Sequence, residues 1–353
     1  MIASATKALA FAGALSLALS AFAAAQSPPP TAKSAKPAQA PPAPTQPAAP
    51  AKKPPPPAAP TAPPPAAATP SEPDLAFGAF QRGYYKTAFE EATRRVNTVG
   101  DPKAMTLLGE LYANGYGVPN DDKKAAEWYK HAADRGDREA MFALAMFRLG
   151  GRGGPRDRDD MIRLLTAAAK LGHAAAAYDL GLLYLQGQQF SQDFHKAAEL
   201  FQIGAQSGSP EAQFALGTLY KEGRGVSKND VEATKLFAAA SLSDNTDALI
   251  EFGIALFNGT GITKNEAAAG IVFRRAARLG SPIAQNRLAR MLAFGRGLPA
   301  DALQATKWHL IAKAGGDGDP MLDEFIARQK PELRAAAEKA AKPWLDFIER
   351  SRS

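Results

Sequence analysis

An alanine returns every 36 residues, at Ala104, Ala140, Ala176, Ala212, Ala248 and Ala284, with no insertion between copies. With that alanine as column 0, column 4 reads Leu108, Leu144, Leu180, Leu216, Phe252 and Leu288. Column 5 is small: Gly109, Ala145, Gly181, Gly217, Gly253 and Ala289. Column 11 is always glycine, from Gly115 to Gly295. A fixed period of this length means stacked supersecondary units that share one continuous core, a solenoid.

The unit is a pair of helices. Column 33 carries Asp101, Asp137, His173, Ser209, Asn245, Ser281 and Asp317, nearly all good N-caps, and Pro102, Pro210 and Pro282 follow at the first helical position. Helix A therefore starts there and stops at the column 11 glycine. Column 17 offers Asp121, Asp157, Asp193, Asn229, Asn265 and Asp301 as caps for helix B. Helix B ends at column 32, which is glycine except for Asp244, and aspartate tolerates the left-handed backbone better than most residues. Two more departures stand out: Arg148 replaces the column 8 aromatic, and the third turn reads Gly187-Gln188-Gln189.

The pattern Ala104-x3-Leu108-Gly109-x2-Tyr112-x2-Gly115-x-Gly117-Val118, then Lys124-Ala125-x2-Trp128-Tyr129-x2-Ala132-Ala133-x2-Gly136, resembles the Sel-one-like repeat, a relative of the tetratricopeptide repeats. The resemblance implies an all-α, right-handed α-solenoid of helix-turn-helix repeats. Six repeats fill 102–319, a tetratricopeptide-like hairpin over 74–101 precedes them, and capping helices over 320–353, broken at Pro331 and Pro343, close the end.

Two segments stand before the array. Residues 1–25 have one charge, Lys7, then an apolar run and small residues, the order of a signal peptide cleaved after Ala25; the alternative is an uncleaved N-terminal anchor. Residues 26–73 hold 19 of the 28 prolines with four lysines and one glutamate. They have little to bury and read as a disordered Pro/Ala-rich linker, extending ~140 Å at most. The expected location is therefore outside the cytoplasm, periplasmic or extracellular, with no stable membrane span after processing.

Chemistry is hard to find. The absence of cysteine removes disulfides, thiolate metal sites and cysteine nucleophiles. His131, His173, His195 and His309 fall in four different columns, so no metal site is expected, and His309 reads as a partly buried packing residue. No phosphate loop, nucleophile elbow or metalloprotease motif occurs, so neither an enzyme nor a cofactor is expected. Residues 74–353 hold 37 basic and 34 acidic side chains, too balanced for a nucleic-acid binder. Arg152, Arg224 and Arg296 share column 12, where they either solvate their turns or form a sparse ridge for an anionic ligand.

One surface suits a protein partner. By analogy with tetratricopeptide arrays, columns 2, 6 and 9 of helix A line the concave face. In the central repeats they hold Phe142, Met146, Leu149, Tyr178, Leu182, Leu185, Phe214, Ile250, Ile254 and Phe257, with Thr106, Glu110, Asn286 and Arg290 toward the ends. An apolar strip with polar ends fits an extended peptide or amphipathic helix. The alternative is that these side chains pack against neighbouring hairpins. The resemblance implies an adaptor or regulator of protein assemblies in a bacterial cell envelope. The alternatives are a secreted factor acting on host proteins, and an envelope hydrolase of β-lactamase type, the latter seen among cysteine-rich relatives that this chain does not match.

Overall fold

The computed structural model describes residues 74–187 and 190–352; the expected signal peptide, the linker and the Gln188-Gln189 departure lie outside them. Sixteen helices and no strand occur among the described residues. The hairpin α1 (Leu75–Gln81) and α2 (Tyr85–Val99) comes first. The six repeats pair α3 (Pro102–Asn114) with α4 (Asp122–Ala133), α5 (Arg138–Gly150) with α6 (Arg158–Lys170), and α7 (Ala174–Gln186) with α8 (Phe194–Gln206). They continue with α9 (Pro210–Glu222) and α10 (Asp230–Ser241), α11 (Thr246–Asn258) and α12 (Glu266–Arg278), and α13 (Pro282–Phe294) and α14 (Ala302–Ala314). From α1 to α14 each helix packs on the next in chain order, which builds a solenoid.

The caps carry the register. All six column 17 side chains accept a backbone N–H from the first turn of helix B. At column 33, His173 does what aspartate or serine does elsewhere, its Nδ1 accepting from the Ala176 amide at 3.1 Å. Asp244 takes φ 58°, the one non-glycine with positive φ among the described residues, and its carboxylate accepts from Arg275 at 2.6 Å.

Within each unit, column 5 is matched in size to column 25. A Cβ on Gly109, Gly181 or Gly253 would lie 2.6 Å from the ring of Tyr129, Phe201 or Phe273. Where column 5 is alanine, at Ala145 and Ala289, column 25 holds the smaller Leu165 and His309. Large and small residues interdigitate as a close-packed interior requires. Between units, the five column 13 glycines lock their turns onto the start of the preceding B-type helix. Gly225 sits at φ 70°, and any Cβ there would overlap the Phe194 carbonyl. Only glycine satisfies both the backbone angle and the close approach.

The ends differ from the repeats. At the front, Tyr116 stacks on Tyr85 with centroids 4.6 Å apart, so the first turn docks on the leading hairpin. At the back, α15 (Pro320–Ala327) is capped by Asp319, whose side chain accepts from the Met321 amide; the expected cap, Asp317, lies two residues early. The expected break at Pro343 is absent, because Pro343 lies inside α16 (Pro331–Arg352). Proline in a helix interior costs about 3 kcal/mol. Docking of α16 on α14 offsets that cost: Trp344 meets Trp308 edge-on at 5.6 Å, and Leu345 and Ile348 join the same core.

Candidate functional site

The column 2 rings rest on the rings beneath them. Tyr178 and Phe214 each lie 5.7 Å from the fully buried rings of Phe201 and Phe237 in their own helix B. Phe142 instead stacks on the His173 imidazole at 4.5 Å. Helical spacing then places columns 6 and 9 on the same face. Phe142, Met146, Tyr178, Leu185, Phe214, Ile254 and Phe257 are half-buried, so each offers an edge to solvent, and Leu149 is exposed. Two residues of the expected strip do not surface: Leu182 is 0% and Ile250 8% exposed. Each is enclosed by its neighbours and supports the strip from below. The solvent-facing part of these columns is therefore narrower than the columns suggest, and its aromatic members are packed and exposed at once.

Its electrostatics are those of a low-dielectric face. Burial pushes the Tyr178 phenol up to about 12. Beside it, burial pushes the Asp179 carboxyl up to about 7. His173 is itself buried; its Nε2 lies 3.0 Å from Glu139, and that hydrogen bond holds Glu139 below the usual carboxylate range. Since Nδ1 accepts the Ala176 amide, Nε2 carries the proton and donates to Glu139. The group fixes the start of α7 and through it the position of Tyr178.

The column 12 arginines are committed within the chain. Arg152 grips the carboxylate of Asp122 at 2.6 Å, donates to the Ala113 carbonyl and lies over the Phe147 ring. Arg296 binds Glu266 at 2.5 Å and covers Phe257. Arg224 has Phe194 where the others have an acid, and its guanidinium lies 4.0 Å from that ring's centroid. All three reach column 18 of the preceding repeat. They stitch turns together, which disfavours a ridge for an anionic ligand. The acid thirty residues earlier was the sequence signal for this role.

Elsewhere, His309 is fully enclosed rather than partly buried, with Nε2 2.8 Å from Asp323. Among the described residues no three His, Asp or Glu side chains converge as a metal site would need, and no helix is long and apolar enough to cross a membrane.

Comparison with known proteins gives a consistent picture. The Sel1 repeat matches six consecutive segments, 102–137, 138–173, 174–209, 210–245, 246–281 and 282–317. Among solved structures, a Sel1 repeat protein from Oxalobacter formigenes is similar at 28% identity and TM-score 0.57, over 68% of this chain and 98% of that one. A protective antigen of uropathogenic Escherichia coli with an SLR fold is similar at 24% identity and TM-score 0.51, over 77% of this chain and 67% of that one. No curated protein matches the chain.

Proposed function

The chain belongs to the Sel1 repeat family, whose members generally serve as protein–protein interaction scaffolds, and from that premise we propose that it is a non-enzymatic scaffold or regulator of the bacterial cell envelope. The observation that carries this reading is the run of half-buried apolar side chains Phe142, Met146, Tyr178, Phe214, Ile254 and Phe257 along successive A helices. They present edges to a partner without giving up their places in the core. A protein or peptide segment lies across them, held mainly by apolar burial, while the turn arginines stay engaged with the preceding repeats. The envelope location is supported by the charge, apolar run and small-residue order of residues 1–25, and the proline-rich segment after it acts as a spacer.

The test is crosslinking in the cell from a photoreactive residue at position 146 or 254, with mass spectrometry of what is captured and fractionation of the envelope. The reading expects one dominant envelope protein. Its affinity should change little with salt and carry a negative heat-capacity change. Loss of affinity as salt rises, or capture of the protein in the cytoplasmic fraction, would overturn it.

A further inference from the structure

The last repeat differs from the other five at three positions on one face. Column 10 is polar or glycine in five repeats, Asn114, Gly150, Gln186, Glu222 and Asn258, but Phe294 in the sixth. Column 3 is Leu107, Ala143, Asp179, Ala215 and Glu251, but Arg287 in the sixth, and column 6 ends in Arg290. Phe294 is 49% exposed even though its ring meets Phe325 edge-on at 6.0 Å.

These residues frame a recess of about 280 Å³. α15 has eight residues where a full helix A has thirteen, and it meets the end of α13 through Phe325 and Met321, with the recess open beside them. Phe257 and Met291 form its floor, and Phe294 and the half-exposed Met321 its apolar wall. Arginines make the rim. Arg290 is tied to Asp319, near Asp317, and Arg296 shares Glu266 with Lys264. Arg287 is exposed and makes no hydrogen bond or ion pair among the described residues, which leaves the recess one uncompensated positive charge. Drug-sized ligands take pockets of roughly 300 to 1,000 Å³; this one suits a single large side chain.

We propose that this recess docks a peptide segment in which an aromatic or long aliphatic side chain stands beside an Asp or Glu. The apolar side chain enters between Phe294 and Met321, and the carboxylate takes the fork of Arg287 in a paired, charge-assisted hydrogen bond. Residues 26–73 of this chain do not suit it, since four lysines and one glutamate would face an arginine rim. A bare anion would leave Phe294 and Met321 unexplained. The proposal rests on the array being a protein-binding scaffold, but not on the central strip being the contact surface.

The experiment pans a phage-displayed random twelve-residue library against the full chain, then measures the most enriched peptide, synthesised with an amidated C-terminus, by fluorescence anisotropy. Enriched sequences should pair Asp or Glu with Phe, Trp, Leu or Met. Arg287→Glu and Phe294→Ser should each weaken binding at least tenfold with unchanged melting, and Arg287→Ala should weaken it less. Tyr178→Ala with Phe214→Ala should leave it within twofold. The proposal falls if nothing is enriched, if the enriched peptides lack acids, or if Arg287→Glu has no effect. It also falls if binding needs a free C-terminal carboxylate, or if light scattering shows that the variants act only by changing self-association. Loss of binding in the Tyr178 and Phe214 variant alone would place the peptide on the central strip and discard the recess; the expected pattern places it in the recess and leaves the strip to the crosslinking at positions 146 and 254.

Discussion

Asp179 and Arg287 occupy the same column of helix A in the third and sixth repeats, yet Asp179 is 8% exposed and Arg287 projects into solvent. Their own helices are alike in length and capping. What differs is the next helix A. It has thirteen residues in α9 but eight in α15, which meets α13 through the Phe294–Phe325 contact. Exposure in a solenoid is thus set by the neighbouring unit as much as by the residue itself, as expected where each repeat contacts only those beside it. The interior pairs rings with rings and leaves edges; the end leaves whole side chains uncovered.

The largest effect should come from breaking an interior joint. Gly225→Ala forces a Cβ into the Phe194 carbonyl at a backbone angle that alanine resists, and should cost roughly 3–5 kcal/mol in urea unfolding. Gly316→Ala, at a helix B terminus, meets only the backbone angle, since nothing lies within 4 Å, and should cost roughly 1–2 kcal/mol. Equal costs would mean that the close approach at column 13 does not lock one unit onto the next.

The buried carboxyl gives the next effect. Asp179 titrates near 7 when folded and near 3.8 in a free chain. Between those values the folded protein holds a proton that the unfolded chain has released. The contribution of Asp179 therefore falls as pH rises from about 4 to about 7 and is flat above. Asp179→Asn should remove that slope and stabilise the protein at pH 8 by roughly 2–4 kcal/mol. Arg287→Gln, in the open copy of the same column, should leave the pH profile of melting untouched. A wild-type stability that rises between pH 4 and pH 7, with the slope kept in Asp179→Asn, would show that the carboxyl is solvated.

The same dependence on neighbours explains what the sequence made legible. Caps and glycines act within their own turn, so columns 11, 17, 32 and 33 fixed both helices of every unit, and even Asp244 kept the left-handed angle. The cap assigned to Asp317 and the break expected at Pro343 failed at the end, where docking of α16 on α14 outweighs local preference. Columns 2 and 6 located the strip, but burial of Leu182 and Ile250 depends on side chains from other units, which no single column reveals. The arginine pairs were within reach: Arg152 with Asp122 and Arg296 with Glu266 are both thirty residues apart. Phe294 was legible too, as the one aromatic in column 10.

The smallest effect separates packed rings from uncovered ones. Phe214 is half-buried against the ring of Phe237, so Phe214→Ala removes ring contacts and leaves a partial cavity. Full burial of such a ring is worth about 3–5 kcal/mol, and a half-buried one should lose about 2 kcal/mol. Phe294 keeps only an edge contact with Phe325, and about half of it faces water already. Truncating it forfeits little burial, and removing an exposed apolar group from the native state carries almost no penalty; Phe294→Ala should shift unfolding by no more than about 0.5 kcal/mol. Guanidinium titrations of the two variants side by side measure the difference directly. If Phe294→Ala proved as costly as Phe214→Ala, the ring would be part of the terminal core beside α15, and the end of the array would be closed where the recess now opens.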